Sequence, residues 1–469
     1  MASAPQPGSA DAAGTLAEYT AALRYEDLPA QAVFILKRMV LDTLGTALAA
    51  SGLDPSCRQM VGVLGAAGGA PTSTLLGYGR KVPTLAAALA NGALAHALNY
   101  DDTMGPGGGH LGVVALPAAL AAAEEQGGVS GRELLAALAA GTELMARLGL
   151  ATKLVAGGHS EAKPQPTQMP GYFSAAASAG RALRLAPAQV HSALGLALMQ
   201  AAGGRQPVLE GVPAKALYAG FSSHGGLLSA LLSRAGVQAQ CDVFEGEAGY
   251  FQTYYGGRYS PAPLTADLGT RFYLTEVGFK PWPTTAVAHP FIEAALQLAE
   301  AHGLAADEIA EVHLQGGDHI RTFCEPAATR QQPRTTVEAA DSIPFPVAKA
   351  LVNRRLTLAD LQGEGLQQPA ALAVAARTRY AVDAALGTAG VVEIVTTSGR
   401  RHAVRVDQAP GHPSKPLTAA QAAAKFRDCA HYAERPLSER RIDAVIETID
   451  RLDQVADVAQ LTALLGEEA

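Results

Sequence analysis

The chain has 469 residues, 48% hydrophobic and 17% charged, with a formal net charge of −7. This length allows two or three domains around a large core, and the acidic balance without a Lys/Arg cluster argues against a nucleic-acid partner. No apolar run is long enough to indicate a membrane span. Four widely separated cysteines indicate free thiols in a reducing compartment, and the first residues lack the pattern of a signal peptide. We therefore expect a cytoplasmic protein.

Alanine-rich apolar segments predict a succession of helices as far as about residue 265. Pro29 opens the first clear one, in which Val33, Leu36 and Val40 recur at helical spacing. Glycine and proline separate most of the segments that follow. Further helices are predicted at 82–98, 113–126, 131–148, 171–183, 187–202, 215–234 and 245–254.

The pattern changes near residue 268, where strand-like segments begin. Arg271–Val277 and Ile309–Gln315 are predicted strands, and Val391–Thr397 with His402–Val406 predicts a β-hairpin. Between the strands, helices are predicted at 286–302 and 340–352, and helices resume from about 417.

These elements predict a mainly α protein. A large all-helical domain covers 1–267, of which 1–13 are expected to be disordered. A smaller α+β domain over 268–411 is inserted in it, and C-terminal helices over 412–469 return to the helical domain.

The most informative segment is the end of the alanine-rich helix that runs into Asp101, Asp102 and Thr103. Carboxylates are disfavoured at a helix C-terminus unless cations or hydrogen-bond donors face them. One interpretation is a solvated turn. The other is that one aspartate orients a neighbouring group while the other anchors the glycine-rich loop that follows, whose backbone can approach a ligand closely.

His110 ends this loop and opens the next predicted helix. A helix N-terminus disfavours the imidazolium, so a neutral imidazole that can accept a proton is available near pH 7. The alternative is a histidine that caps the helix. His96, inside the preceding helix, is predicted to be a packing residue.

Two lysines are candidates for binding a substrate carboxylate. Lys215 stands among alanines in a segment that looks buried, although its side chain could instead reach solvent. Lys280 directly precedes Pro281-Trp282-Pro283, which contains the only tryptophan, and this segment fits a rigid clamp or a structural turn. Arg205 could bind a carboxylate through two hydrogen bonds, and His159 lies in a long polar loop. For both of these, a solvated loop is the alternative.

Motifs for metal or cofactor binding do not occur. The chain has no HExxH, no CxxC, no P-loop, no GxGxxG after a strand and no GxSxG.

Several segments resemble the MmgE/PrpD family, which includes 2-methylcitrate dehydratases, cis-aconitate decarboxylases and iminodisuccinate epimerases. The blocks that carry the resemblance are Leu41–Ala47, Asn91–Thr103 continuing through His110, Lys215–Gly220, Lys280–Pro283 followed by His289, and Asp341–Phe345. The resemblance implies a helical domain, a smaller α+β domain that closes over it, an active site between the two, a homodimer and no cofactor.

By the same resemblance, Thr103, His110, Lys215 and Lys280 fall on positions that family active sites use. Other positions depart from the family pattern, because the chain has Asn99 for an aspartate, Gln165 and Thr285 for histidines, and Phe345 for a tyrosine. Groups that move protons are lost there, while both lysines and one histidine remain. His159, on the same loop as Gln165, is a candidate replacement.

The sequence therefore predicts a cofactor-independent lyase, of dehydratase or decarboxylase type, that acts on a small di- or tricarboxylate. Lys215 and Lys280 would bind carboxylates and developing charge, and His110 would move a proton that Asp101 and Thr103 help to position. An epimerase of an amino- or iminodicarboxylate and a non-catalytic protein with an anion pocket remain alternatives. The residues predicted to line the substrate site are Asn99, Asp102, His159, Gln165, Arg205, Thr285 and Phe345.

Overall fold

The computed structural model describes residues 11–105, 107–153 and 164–466, so His159 lies outside the described residues. The protein is mainly α, as predicted, and its residues form two compact units. Unit 1 takes in the described residues of Met1–Ala97, Asp101–Val277 and Ala419–Ala469. Unit 2 takes in Leu98–Tyr100 and Gly278–Thr418.

Among the described residues, the helices from α1 to α12 belong to unit 1. They are α1 Ala12–Ala22, α2 Ala30–Leu53, α3 Pro55–Ala67, α4 Thr84–His96, α5 Gly112–Gln126, α6 Gly131–Lys153, α7 Gln168–Ala182, α8 Pro187–Leu198, α9 Gln206–Glu210, α10 Leu217–Arg234, α11 Tyr250–Tyr255 and α12 Ala262–Thr265. The next six belong to unit 2: α13 His289–His302, α14 Ile320–Cys324, α15 Ala327–Gln331, α16 Thr336–Ala340, α17 Pro344–Asn353 and α18 Pro369–Ala376. The last three return to unit 1: α19 Ala419–His431, α20 Glu439–Asp450 and α21 Ala459–Leu465.

The strands are short outside unit 2. They are β1 Ser73–Leu75, β2 Arg80–Val82, β3 Thr103–Met104, β4 Val277–Gly278, β5 Ile309–Gly316, β6 Thr378–Val382, β7 Gly390–Thr396 and β8 Arg401–Val406. Short 3-10 helices occur at Tyr25–Asp27, Pro213–Ala216, Tyr273–Glu276, Ala286–Ala288, Ala306–Glu308, Ala359–Leu361, Gly363–Gln367, Ala384–Leu386 and Leu452–Gln454.

Small residues let the helices of unit 1 pack closely, and α4 and α10 show how this orients them. A Cβ atom on Gly92 would lie 2.8 Å from the carbonyl oxygen of Ala219, and Nδ1 of His224 lies 3.1 Å from the carbonyl oxygen of Leu85. As the chain advances along α10, its contacts therefore move backwards along α4. The two helices are antiparallel, so the start of α10 lies at the same end of the pair as His96.

Helix α6 is long and apolar enough to cross a membrane by length and composition. However, 94% of its most apolar window is buried inside the protein. A helix covered in this way belongs to the core of the protein.

Unit 2 is built on a four-stranded sheet in the order β6-β5-β7-β8. β5 pairs in parallel with β6 and antiparallel with β7, which pairs antiparallel with β8. One face of β7 is buried, including Val392 and Ile394, and α13 packs against β7 and β8. Phe291 and Ile292 of α13 join the same core. The predicted strand at 309–315 and the predicted hairpin are thus confirmed.

Three predictions need correction. The segment Arg271–Val277 is mostly a 3-10 helix, because the buried Glu143 carboxylate accepts a hydrogen bond from the Leu274 N–H (3.0 Å) and Arg147 binds the Arg271 carbonyl (3.1 Å). Unit 1 is not all-helical, since β1 and β2 form an antiparallel hairpin. The helix predicted at 245–254 is shorter and spans Tyr250–Tyr255.

Candidate active site

The loop after Asp102 folds back on itself and returns the chain to that residue. Met104 donates to the carbonyl of Gly109 (2.9 Å), and Gly108 donates to the carbonyl of Met104 (2.7 Å). The Asp102 carboxylate then accepts from the backbone N–H groups of Leu111 (2.9 Å) and Gly112 (3.1 Å) at the start of α5. The helix cap is therefore Asp102 and not His110, which leaves the His110 side chain available for another role.

One carboxylate oxygen of Asp101 binds two histidines. Oδ2 of Asp101 lies 2.6 Å from Nδ1 of His96 and 3.2 Å from Nδ1 of His110. The side chains of Asp101 and His96 are buried, whereas 19% of the His110 side chain is exposed. The centroids of the two imidazole rings are 5.0 Å apart. Asp101 thus orients an imidazole that is partly open to solvent.

The hydrogen bonds fix which nitrogen of His110 carries the proton. Its Nδ1 also contacts the backbone carbonyl oxygen of Asp102, and a carbonyl oxygen can only accept. Nδ1 of His110 is therefore the donor. In the neutral ring, Nε2 is then the nitrogen with a lone pair.

Asp102 sits in an unfavourable place for a negative charge. Burial, together with the charges of Asp101 and Asp42, raises the pKa of the Asp102 carboxyl to about 7, against the two backbone N–H donors that favour the ionised form. Asp42 lies on α2 and is paired with Lys425 of α19 (2.6 Å). A Cβ atom on Gly112 would lie 2.7 Å from Oγ1 of Thr43, so the first two family-like blocks meet beneath the start of α5.

The ligand atoms of His96, Asp101 and His110 all lie within 4.8 Å of one another, as they would around a metal ion. Ligands that share a Zn²⁺ ion at about 2.0–2.2 Å stand about 3 Å or more apart. The 2.6 Å separation between His96 and Asp101 is shorter than this. The spacing is that of hydrogen-bonded partners and not of shared metal ligands.

The start of α7 lies against His110. The backbone N–H of His110 donates to Oγ1 of Thr167 (3.3 Å). Just before, Oε1 of Gln165 accepts from the N–H groups of Thr167 (2.5 Å) and Gln168 (2.7 Å). Gln165 therefore holds the first turn of α7 beside the imidazole, and its carbonyl oxygen is occupied by that role.

The start of α10 lies at this end of unit 1 as well. Lys215 is half-buried in the 3-10 helix that precedes α10, and this 3-10 helix packs against α4. Oγ of Ser222 donates to the carbonyl of Gln168 (2.8 Å), which joins α10 to the start of α7. Burial raises the pKa of the Tyr218 phenol, and the charge of Arg205 opposes that rise. Arg205 is thus close to Tyr218, near the same helix start.

The N-termini of α5, α7 and α10 therefore lie together with Lys215 and Arg205. Each helix N-terminus presents partial positive charge. The Asp102 carboxylate offsets the partial positive charge at the start of α5. The remaining charge favours an anionic ligand beside the His110 imidazole.

In unit 2, Lys280 is only 2% exposed and is bound to Asn99. Its Nζ donates to Oδ1 (2.8 Å) and to the backbone carbonyl (2.9 Å) of Asn99. Nδ2 of Asn99 donates to Oδ1 of Asp341 (3.1 Å), and Asn99 has a φ of 53°. The Thr285 N–H donates to the carbonyl of Ala340 (2.8 Å), beside Asp341.

The remaining predicted residues fall in different surroundings. Thr103 is half-buried on β3, within the loop that leads to His110. Phe345 is fully buried in the hydrophobic core of unit 2. His159, the candidate replacement for the missing histidine, lies outside the described residues.

Sequence reasoning missed three polar residues of this arrangement. His96 was predicted to be a packing residue, but its Nδ1 binds Asp101. Thr167 and Asp341 were not singled out, although they contact His110 and Asn99. For His96, the signal in the sequence was its position five residues before Asp101, where the predicted helix ends.

Two family models match the chain, the MmgE/PrpD N-terminal domain over residues 14–262 and the MmgE/PrpD C-terminal domain over residues 282–451. A cis-aconitate decarboxylase-like protein of Aspergillus oryzae is 27% identical over 97% of both chains. The cis-aconitate decarboxylase of Aspergillus terreus is 25% identical over 84% of this chain and 83% of its own. The mouse cis-aconitate decarboxylase is 25% identical over 92% of this chain and 88% of its own.

The two models together span most of the chain, and the three relatives align over 83–97% of their own length. The resemblance drawn from the short blocks is thereby confirmed. The chain belongs to the MmgE/PrpD family.

Proposed function

We propose that this protein is a lyase that removes water or CO2 from a small di- or tricarboxylate, without a cofactor. The relatives named as cis-aconitate decarboxylases support a tricarboxylate as the first substrate to test. At 25–27% identity they support the class of reaction more than the individual substrate.

The observation that carries the proposal is the hydrogen bonding of His110. Asp101 and the carbonyl of Asp102 hold its Nδ1 as a donor. Nε2 becomes the proton acceptor, and the buried Asp101 carboxylate stabilises the imidazolium that forms. A partly exposed imidazole held in this way can take a proton from carbon and return it.

Binding of the substrate is assigned to the cations. Lys215 and Arg205 lie with the helix N-termini in unit 1, where a carboxylate would be stabilised by full charges and by the helix dipoles. Lys280 is assigned to a second carboxylate because it occupies the lysine of the Lys-Pro-Trp-Pro block. Charge that develops on a carboxylate-stabilised carbanion would be met by the same groups.

Dehydration and decarboxylation use His110 in opposite directions. In dehydration, Nε2 takes the proton from the carbon next to a carboxylate, and the C–H electrons form the double bond. The hydroxyl group takes a proton from the imidazolium so formed and leaves as water. In decarboxylation, the C–C bond to the departing carboxylate breaks, CO2 leaves, and the carbanion takes a proton from the His110 imidazolium. Both reactions need an oriented imidazole.

Two departures from the family pattern bear on the choice of reaction. Gln165 caps α7 where the family resemblance implies a histidine, and Asn99 is a neutral amide held between Lys280 and Asp341. Neither side chain can serve as a proton carrier. The proposal therefore assigns the proton to His110 alone among the described site residues.

Proton NMR in D2O tests the proposal. The protein is incubated with cis-aconitate, citrate, 2-methylcitrate and iminodisuccinate, with Lys280→Ala as the control. New alkene signals or loss of a carboxylate, absent in the variant, would support the lyase. Deuterium at the α-carbon without loss of a group would point to an epimerase instead, and no change with any acid would contradict the proposal for these substrates.

A further inference from the structure

His96 is a buried histidine with one nitrogen bound and the other unbound. Its side chain is 1% exposed, and Nδ1 lies 2.6 Å from Oδ2 of Asp101. Within the described residues, Nε2 is buried and has no hydrogen-bond partner. Leaving a buried polar atom unpaired destabilises the fold. An apolar residue would fill this position without that cost, so packing alone does not account for a histidine here.

We propose that His96 is a positioning residue of the site, which acts through Asp101 to set the pH range over which His110 gains and loses its proton. The inference rests on the proposed function in assigning the proton transfer to His110. His96 itself does not contact the reacting atoms in this account.

The two imidazoles share Oδ2 of Asp101. Asp101 cannot donate while ionised, so Nδ1 of His96 is the donor, just as Nδ1 of His110 is. Each donor to Oδ2 draws on the same negative charge. A carboxylate with two donors stabilises an adjacent imidazolium less than a carboxylate with one. His96 also prevents the Asp101 carboxylate from turning away from His110.

Burial also bears on Nε2 of His96. A hydrogen on this nitrogen would be a buried donor without an acceptor among the described residues, which is costly. The hydrogen of His96 is therefore placed on Nδ1, where Asp101 accepts it, and the proton that moves is assigned to His110.

Other ionisable groups lie near His96, Asp101 and His110 on several elements. Asp102 adjoins Asp101 in the loop, Asp42 faces Asp102 from α2 with Lys425 as its partner on α19, and Lys215 lies on the 3-10 helix packed on α4. His224 of α10 is bound at the opposite end of α4. The remaining charged side chains on elements that pack against α4 either pair elsewhere or are exposed: Lys37, Arg38, Arg58, Arg80, Lys81, Glu124, Glu125 and Arg234.

The test compares two substitutions at His96 that differ in the donor they keep. His96→Asn keeps an N–H close to the position of Nδ1, whereas His96→Leu keeps the apolar volume and loses the donor. His224→Leu removes another histidine of unit 1 and serves as the control. The readouts are the titration of the His110 ring by NMR of labelled histidine, assigned with His110→Asn, and the pH profile of kcat/KM.

The expected result is a His110 titration midpoint about one pH unit higher in His96→Leu. Without the second donor, Asp101 holds the imidazolium more strongly, and the proton is released at higher pH. His96→Asn returns the midpoint toward that of the unaltered protein, and His224→Leu leaves it in place. In the pH profile of kcat/KM, the inflection that reflects protonation of His110 should move in the same direction.

An unchanged midpoint in folded His96→Leu would overturn the proposal, as would equal shifts in His96→Asn and His96→Leu. If His96→Leu does not fold, the unaltered protein decides the matter, because an Nε2–H tautomer at His96 would contradict the donor role. The NMR titration needs no substrate. If the His110 midpoint shifts as expected but no acid is turned over, the result would therefore count against the proposed function alone.

Discussion

The ammonium group of Lys280 is bound by both oxygens of Asn99, with Nζ 2.8 Å from Oδ1 and 2.9 Å from the backbone carbonyl. The amide nitrogen of Asn99 donates to Asp341 at 3.1 Å. The amide thus joins a buried lysine to a carboxylate, and it has the donor and the acceptor that this arrangement needs. An aspartate, which the family resemblance implies at this position, could bind Lys280 but could not donate to Asp341.

This arrangement predicts a cost for restoring the aspartate. Asn99→Asp should lower the free energy of unfolding by about 1–3 kcal/mol, because a donor is lost and two carboxylates are brought together. In the double variant Asn99→Asp/Asp341→Asn a donor is again available, so most of the loss should be recovered. Urea unfolding of the four proteins measures the coupling. Strictly additive effects would show that the Asn99–Asp341 contact is not energetically important.

Asp102 predicts a pH dependence of stability. Its folded pKa of about 7 lies above the usual aspartate pKa of 3.8, so between these values the native state holds a proton that the unfolded chain has released. Stability from this group is therefore present at low pH and is lost as the pH rises toward 7. Relative to Asp102→Asn, which does not titrate, the wild-type free energy of unfolding should fall on the order of 3 kcal/mol between pH 5 and pH 8.

Parallel urea melts of the two proteins at several pH values would measure this difference. Asparagine keeps an acceptor for the α5 N–H groups, so the cap is largely retained. A difference that stays constant with pH, or that grows as the pH rises, would contradict the raised pKa.

Gln165 is predicted to matter for the structure of α7. Gln165→Ala should cost about 1 kcal/mol, because the N–H groups of Thr167 and Gln168 lose their acceptor. Gln165→Glu keeps an acceptor at a helix N-terminus and should cost less. Thermal unfolding of both variants measures the effect. Equal stabilities for the alanine variant and the unaltered protein would mean that water replaces the side chain without loss.

Lys215 is predicted to act in binding and not in folding. It is half-buried at the start of α10, so its removal should change the free energy of unfolding little. Lys215→Gln should raise KM for a carboxylate substrate by about tenfold or more, as expected for the loss of one ionic contact. Lys81→Gln, an exposed lysine of β2, is the control. An unchanged KM in Lys215→Gln would remove this lysine from the site.

The sequence predicted the long helices well, because alanine-rich periodic segments such as α2 and α5 have few alternatives to a buried helix. It also predicted β5, β7 and β8, whose β-branched residues alternate. It failed at 271–277, where the apolar pattern suited a strand but Glu143 and Arg147 bind the backbone into a 3-10 helix. Such a tertiary contact spans more than 120 residues and leaves no local signal.

Part of the candidate site was also accessible from the sequence. The adjacent aspartates, the glycine-rich loop and His110 mark a polar cluster where apolar helices end. The role of His96 was not accessible from the sequence. It depends on the chain reversing after α4 through Asn99, which adopts a positive φ. Asparagine tolerates that conformation better than most residues, but the sequence does not say which way the turn will face.

The most direct test of the account is His110→Asn, assayed for turnover of cis-aconitate and the related acids by NMR in D2O. Asparagine can supply a donor to Asp101 and to the Asp102 carbonyl, as Nδ1 does, but it has no counterpart of Nε2. The account predicts a folded protein whose kcat/KM falls by about 10² to 10⁴, the usual contribution of a general acid or base. Turnover equal to that of the unaltered protein would show that His110 is not the group that moves the proton.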